Sequence, residues 1–224
     1  LKATPDVSTP PKASSSSSSP TTMTAINQGS IVESLFDVVF VLNKENELHK
    51  WTQMQSHLSM HGIFNCKRSV VTMTPKERHE WQSIVHEKPL LSETLTADAF
   101  ALVLAMERMV RESKEQKWNC ILVLSDDVRL VMHDFENVMS STIMSTNGGL
   151  LFLTKPTNNL TAGVNTIAVG ISHCVFDVVQ SKLTSRTQTV KDLLVAIHKQ
   201  YQQKCTVIQD PIIVTTTTTT KNTI

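Results

Sequence analysis

The chain has 224 residues, 40% of them hydrophobic and 18% charged, with 21 Lys and Arg set against 20 Asp and Glu. That length suits one domain of the usual size, roughly 100–200 residues, plus tails, and the balanced composition excludes both a highly charged disordered chain and a basic nucleic-acid binder. No apolar run approaches the ~20 residues that a membrane-spanning helix needs, so neither a nucleic-acid partner nor a transmembrane segment is expected in this chain.

Residues 1–30 are rich in Ser, Thr and Pro and carry few large apolar groups, so they are expected to form a disordered leader. The chain begins at Leu1 rather than Met, which leaves room for an upstream piece. The working domain is placed at 31–214 and a threonine-rich tail at 215–224. The domain opens with Phe36-Asp37-Val38-Val39-Phe40-Val41-Leu42, a run typical of a strand buried on both faces. Asn43 is read as the cap of a following helix whose apolar side carries Leu48, Trp51, Met54 and Leu58 and which Gly62 can end. A second strand is expected around Phe64 to Thr72, and residues 73 to 94, with Pro75 and Pro89 as breakers, read as irregular.

Thr96 can cap a helix with apolar positions Phe100, Val103, Leu104 and Val110. The fully apolar strand Cys120-Ile121-Leu122-Val123-Leu124 follows and stops at Ser125-Asp126-Asp127, after which Val128 to Met132 is again extended. A helix capped by Asp134 and running through Met144 comes next. Strands are expected at Gly149–Leu153 and Thr166–Gly170, helices at 173–183 and 189–202, and a last strand at Thr206–Ile208 before Pro211. Helices alternating with strands that are apolar throughout argue for an α/β fold with a mostly parallel sheet flanked by helices.

Several chemistries have no motif behind them. Cys66, Cys120, Cys174 and Cys205 are spread without a CxxC pair, which speaks against a structural zinc site. No G-x-G-x-x-G, P-loop or G-x-S-x-G is present. His57 and His61 share a helix face, but Leu58 stands where a zincin needs glutamate, so they read as plain helix residues. The sequon at Asn159 decides nothing about compartment. What remains is the acidic pair. Ligands of open α/β sheets sit outside the carboxyl ends of the strands, and two carboxylates at such an end repel each other unless a hard divalent cation, Mn²⁺ or Mg²⁺, relieves them. A cation there can in turn hold a diphosphate. Turn chemistry alone also explains Asp-Asp.

The order of the VVFVLN strand, the turn His61-Gly62-Ile63, the CILVLSDDVRL strand with Phe135 soon after, and Val169-Gly170-Ile171-Ser172 resembles glycosyltransferase family 25. That family includes lipopolysaccharide sugar transferases and procollagen galactosyltransferase-type enzymes with the GT-A (Rossmann-like) fold. Its acidic signature, Glu-Asp-Asp-Val, is represented here by Ser125-Asp126-Asp127-Val128, Val190-Lys191-Asp192-Leu193-Leu194 is close to its Val-x-Asp-x-x-Leu stretch, and its Pro-bearing strand is matched by Ile208-Gln209-Asp210-Pro211. The resemblance spans about residues 36 to 214. It implies transfer of a sugar, with inversion, from a nucleotide-sugar donor such as a UDP-sugar to a hydroxyl acceptor. Asp126 and Asp127 would bind metal and diphosphate, Asn43 would lie near the nucleotide, and Asp192 would act as general base. Ser125 departs from the family's glutamate, the Ser-His pair expected near Ala101-Leu102 is missing, and the arginine expected after the first strand is represented at best by His49 or Lys50. The alternative is therefore a degenerate GT-A-like domain that binds without turnover.

Overall fold

β1 (Val38–Lys44) buries six of its seven residues, so it must be covered by packed layers on both faces. The computed structural model describes residues 31–130, 149–153, 167–200, 205–207 and 213–215. The leader, the 134–144 helix, Phe135, the sequon and the segment with Pro211 lie outside them. The other elements are α1 (Ile31–Leu35), α2 (Leu48–Met60), β2 (Cys66–Val71), α3 (Pro75–Glu87), α4 (Ala97–Glu115), β3 (Cys120–Ser125), β4 (Val128–Leu130), β5 (Leu150–Phe152), β6 (Ala168–Ser172), α5 (Phe176–Thr184), α6 (Val190–Gln200), β7 (Cys205–Val207) and β8 (Ile213–Thr215).

Six strands form one sheet in the order β2-β1-β3-β6-β5-β7, and β4 pairs with β8 in a second, two-stranded sheet. β1 runs parallel to β2 and β3, β6 is antiparallel to both β3 and β5, and β5 is parallel to β7. Only β6 is reversed, so the sheet is mixed but mostly parallel. This is the helix-flanked α/β architecture expected, consistent with a GT-A-like fold.

The two faces follow from strand alternation. Val38, Phe40, Leu42, Ile121, Val123, Val169 and Ile171 turn to one side and pack with apolar residues of α4, α5 and α6. Val39, Val41, Leu122, Leu124 and Ala168 turn to the other side, toward Val32 of α1, Met54 and Leu58 of α2, and Val128 and Leu130 of β4. From β1 the chain crosses through α2 to β2 on one side, then returns past β1 by way of α4 to β3 on the other. Crossovers of constant hand running in opposite directions put their helices on opposite faces, and the apolar clusters show that arrangement.

Two expectations are corrected. Residues 73 to 94 are not irregular: Pro75 is the first residue of α3, where its missing N–H costs nothing, and Thr74 with Glu77 forms a reciprocal capping box. Asn43 is no helix cap: β1 continues through Lys44, and the residue before α2 is Glu47, which makes no side-chain capping bond. Thr96 does cap α4, accepting the Ala99 N–H at 3.2 Å.

Candidate functional site

The sheet order creates the site. Because the chain leaves β1 toward β2 and comes back to place β3 on β1's other side, the carboxyl ends of β1 and β3 flank a topological switch point, where helices diverge and a crevice opens. Asn43 and Lys44 end one strand. Ser125 ends the other, Asp126 and Asp127 follow it, and the Asp126 N–H extends the ladder by donating to the Leu42 carbonyl at 3.1 Å. A cleft of about 300 Å³ lies there, lined by Lys44, Glu47, Lys50, Asp98, Asp126 and Asp127 among others. A second cleft of about 470 Å³ shares Lys44, Val71 and Asp98 with it and continues past Glu45, Thr72 and Arg78. The Lys44–Asp98 ion pair, 2.6 Å and well exposed, lies where the two meet.

The structure brings Asn43 and Asp126 into direct contact. Asn43 is fully buried; its Nδ2 donates to Asp126 Oδ2 at 2.6 Å and to the Glu47 carbonyl at 2.9 Å. Its Oδ1 accepts from Arg68 Nε at 2.7 Å. Asp127 lines the same cleft as Asp126. Asp192 stands apart: it is exposed, on the first turn of α6, its Oδ2 taking the Thr189 hydroxyl at 2.7 Å while its own N–H donates to that oxygen at 3.1 Å. It is not among the residues lining either cleft.

Sequence reasoning names Ser125, His57 and Lys50 without giving them a structural part in this site, and it gives Arg129 none. The hydroxyl of Ser125, at the position of the family's glutamate, accepts the Ile167 N–H at 2.8 Å. Behind the acidic turn, Arg129 Nη1 donates to the Asp126 and Val128 carbonyls at 3.1 and 2.7 Å. The Leu130 N–H donates to His57 Nε2 at 3.0 Å. Burial first, then the neighbouring His61 and Arg129, push the His57 pKa down to about 4, so the ring is neutral and able to accept that bond. Lys50, bonded to Glu47 at 2.7 Å, keeps its ammonium above the ordinary value. The Glu47 bond is the main cause, burial opposes it, and the charges of Glu47, Asp126 and Asp127 add to it.

The carboxylates of Asp126 and Asp127 are hard oxygen donors, the type Mg²⁺ and Mn²⁺ prefer. Among the described residues no group of three or more His, Cys, Asp or Glu side chains could hold a metal. The pair therefore fits such an ion only as part of a shell completed by a ligand's oxygens and water.

No family model and no curated protein matches the chain. Among solved structures it is similar to a glycosyltransferase involved in the glycosylation of the major capsid of PBCV-1, at 8% identity and a TM-score of 0.44, over 76% of this chain and 82% of that one. Among the described residues no helix is long and apolar enough to cross a membrane.

Proposed function

We propose that the chain is a glycosyltransferase, of the family-25 kind its sequence resembles, which takes a sugar from a nucleotide-sugar donor to a hydroxyl on a glycan, lipid or protein. One observation carries this reading: an acidic pair lines a cleft at the switch point between β1 and β3, where α/β sheets bind their ligands. Asp126 and Asp127 would hold Mn²⁺ or Mg²⁺ there. When bound, that ion supplies Lewis-acid stabilisation of charge on a departing diphosphate. The chain's own cations serve the same diphosphate, since Lys44 and Lys50 line the cleft and neutralise an anion without leaving the protein. The neighbouring cleft of about 470 Å³ gives the rest of the donor room beside the acidic pair.

The test is thermal unfolding of the whole chain titrated with MnCl₂ and UDP. At a ligand concentration ~100 times Kd, linkage adds about 2.7 kcal/mol, a rise of about 5–11 °C for a domain of this size. The rise should disappear in Asp127→Ala. No rise with UDP and either Mn²⁺ or Mg²⁺ would sink the proposal.

A second reading, binding without turnover, is favoured by Ser125. Where the resembling family carries a carboxylate, this side chain is a hydroxyl tied to the Ile167 backbone. Stabilisation by Mn²⁺ and UDP with no sugar released from any of a panel of UDP- and GDP-sugars would select it.

A further inference from the structure

The polar contacts at the end of β1 form a chain with a direction. Arg68 reaches from β2 across Asn43: its Nε donates to Asn43 Oδ1 at 2.7 Å, and its Nη2 donates to the Lys44 and Glu45 carbonyls at 3.1 Å each. A guanidinium only donates and a carboxylate only accepts. An amide placed between them has one workable orientation, oxygen toward Arg68 and nitrogen toward Asp126. Turned over, its oxygen would face a carboxylate and its nitrogen a cation, two buried clashes at once. Both Nδ2 hydrogens are spent, one on Asp126 Oδ2 and one on the Glu47 carbonyl. Asn43, fully buried and so engaged, has no side-chain donor left for a ligand. Its work is to hold Asp126 by Oδ2, which leaves Oδ1 as the oxygen a ligand in the cleft can take.

We propose that Arg68 is a positioning residue of the acidic site, acting through Asn43 to fix the Asp126 carboxylate. This rests on the reading of the cleft given above, which it deepens by replacing a nucleotide-contacting Asn43 with a relay. Partners one hydrogen bond behind a metal ligand, the place Asn43 holds, typically change affinity by about 10–100-fold when removed, and Arg68 stands one bond further back, fixing that partner. Arg68→Lys keeps the charge but loses the planar fork that serves three carbonyl oxygens at once.

The experiment is a double-variant cycle on Mn²⁺-dependent UDP affinity, with amide exchange as a readout that needs no ligand. Arg68→Lys and Asn43→Ala are each expected to weaken affinity by about tenfold or more, and Arg68→Lys to add nothing further in the Asn43→Ala background. An equal loss in both backgrounds would mean that Arg68 touches the ligand itself, and no loss in either would mean that it positions nothing; both outcomes overturn the relay. In ¹⁵N spectra of the free protein the Asn43 side-chain amide should exchange slowly with solvent, and Arg68→Lys should speed that exchange at least tenfold. Should the wild-type chain bind no UDP with Mn²⁺ at all, the proposed function fails. The relay then stands or falls on the amide alone, as it does if Asn43→Ala does not fold: unchanged exchange in Arg68→Lys overturns it.

Discussion

β1, the floor of the crevice, buries six of its seven residues, while α3, which lends Arg78 to the wall of the larger cleft, buries none of its 13. Charged and polar contacts fasten α3 instead. Arg108 donates to both oxygens of Glu77 at 2.8 and 2.9 Å, Arg186 bridges Glu80 and Glu107 at 2.6 and 3.0 Å, and the Trp81 indole donates to the Leu95 carbonyl at 2.8 Å. Apolar burial joins the floor to the cooperative core, and neither salt nor pH acts on it directly. Partly exposed ion pairs are worth about 0–1 kcal/mol each and are screened by salt. The two sides of one cleft are therefore expected to differ in how they open, the floor only with global unfolding and the wall by local release.

The largest effect should come from the floor. Phe40 is almost fully buried and meets Trp118 edge to face with ring centroids 5.8 Å apart. Phe40→Ala should cost about 3–5 kcal/mol of global stability by chemical denaturation, and a loss below ~1 kcal/mol would contradict the assignment of β1 to the core. Gly170 tests the same layer by overpacking. A Cβ there would lie 2.8 Å from Phe36 Cε1 and 3.2 Å from Leu151 Cβ, so Gly170→Ala should cost about 1–3 kcal/mol, read in the same denaturation curves.

The floor was legible in the sequence and the wall was not, for physical reasons. A strand covered on both faces is apolar at every position, so β1 and β3 stood out, and the acidic pair was found because it interrupts such a run. β6 looked just as apolar, yet it runs antiparallel to β3, since continuous apolarity carries no sign for direction. α3 was hidden by Pro75, which ends a helix from the inside but starts one from the first turn, and by an apolar side reduced to half-buried Trp81 and Ile84 over a small satellite cluster. The Thr74–Glu77 spacing was the signal that could have found it. Asn43 reads as a helix cap in the sequence because two of its three side-chain partners come from afar: Arg68 is 25 positions away and Asp126 is 83. Nothing local announces such contacts, and Asp192 shows the converse, a motif match whose side chain serves the start of its own helix.

Between floor and wall in expected size lies the support behind the acidic turn. His57 has a folded pKa of about 4 against an ordinary 6.5, through burial first and then through His61 and Arg129. The unfolded chain therefore takes up this proton first. Stability is intact above the ordinary value and declines as pH falls from 6.5 toward 4, below which both states are protonated. For a half-buried ring screened by solvent the loss should be about 1–2 kcal/mol. His57→Gln, whose side-chain carbonyl can still take the Leu130 N–H, should flatten the decline, and an unchanged pH profile would show that His57 does not set it.

The smallest global effect and the sharpest local one are expected at the wall. Arg108→Ala should change global stability by no more than about 1 kcal/mol, yet amide exchange in α3 should accelerate well beyond that in β1. Raising the ionic strength to about 1 M, where the screening length shrinks to roughly 3 Å, should loosen α3 of the wild type in the same way. Acid should do so too. Burial alone would raise the Glu77 pKa, but the Thr74 N–H and the Arg108 guanidinium outweigh it and hold the carboxyl below its ordinary 4.5. The stabilisation from that pairing is therefore complete above 4.5 and shrinks as pH falls below it, and the bond to Arg108 itself is lost only when pH passes the lowered folded value and Glu77 takes a proton. If the amides of α3 and β1 instead respond together to salt, to acid and to Arg108→Ala, the wall belongs to the same cooperative unit as the floor, and the cleft opens as one piece or not at all.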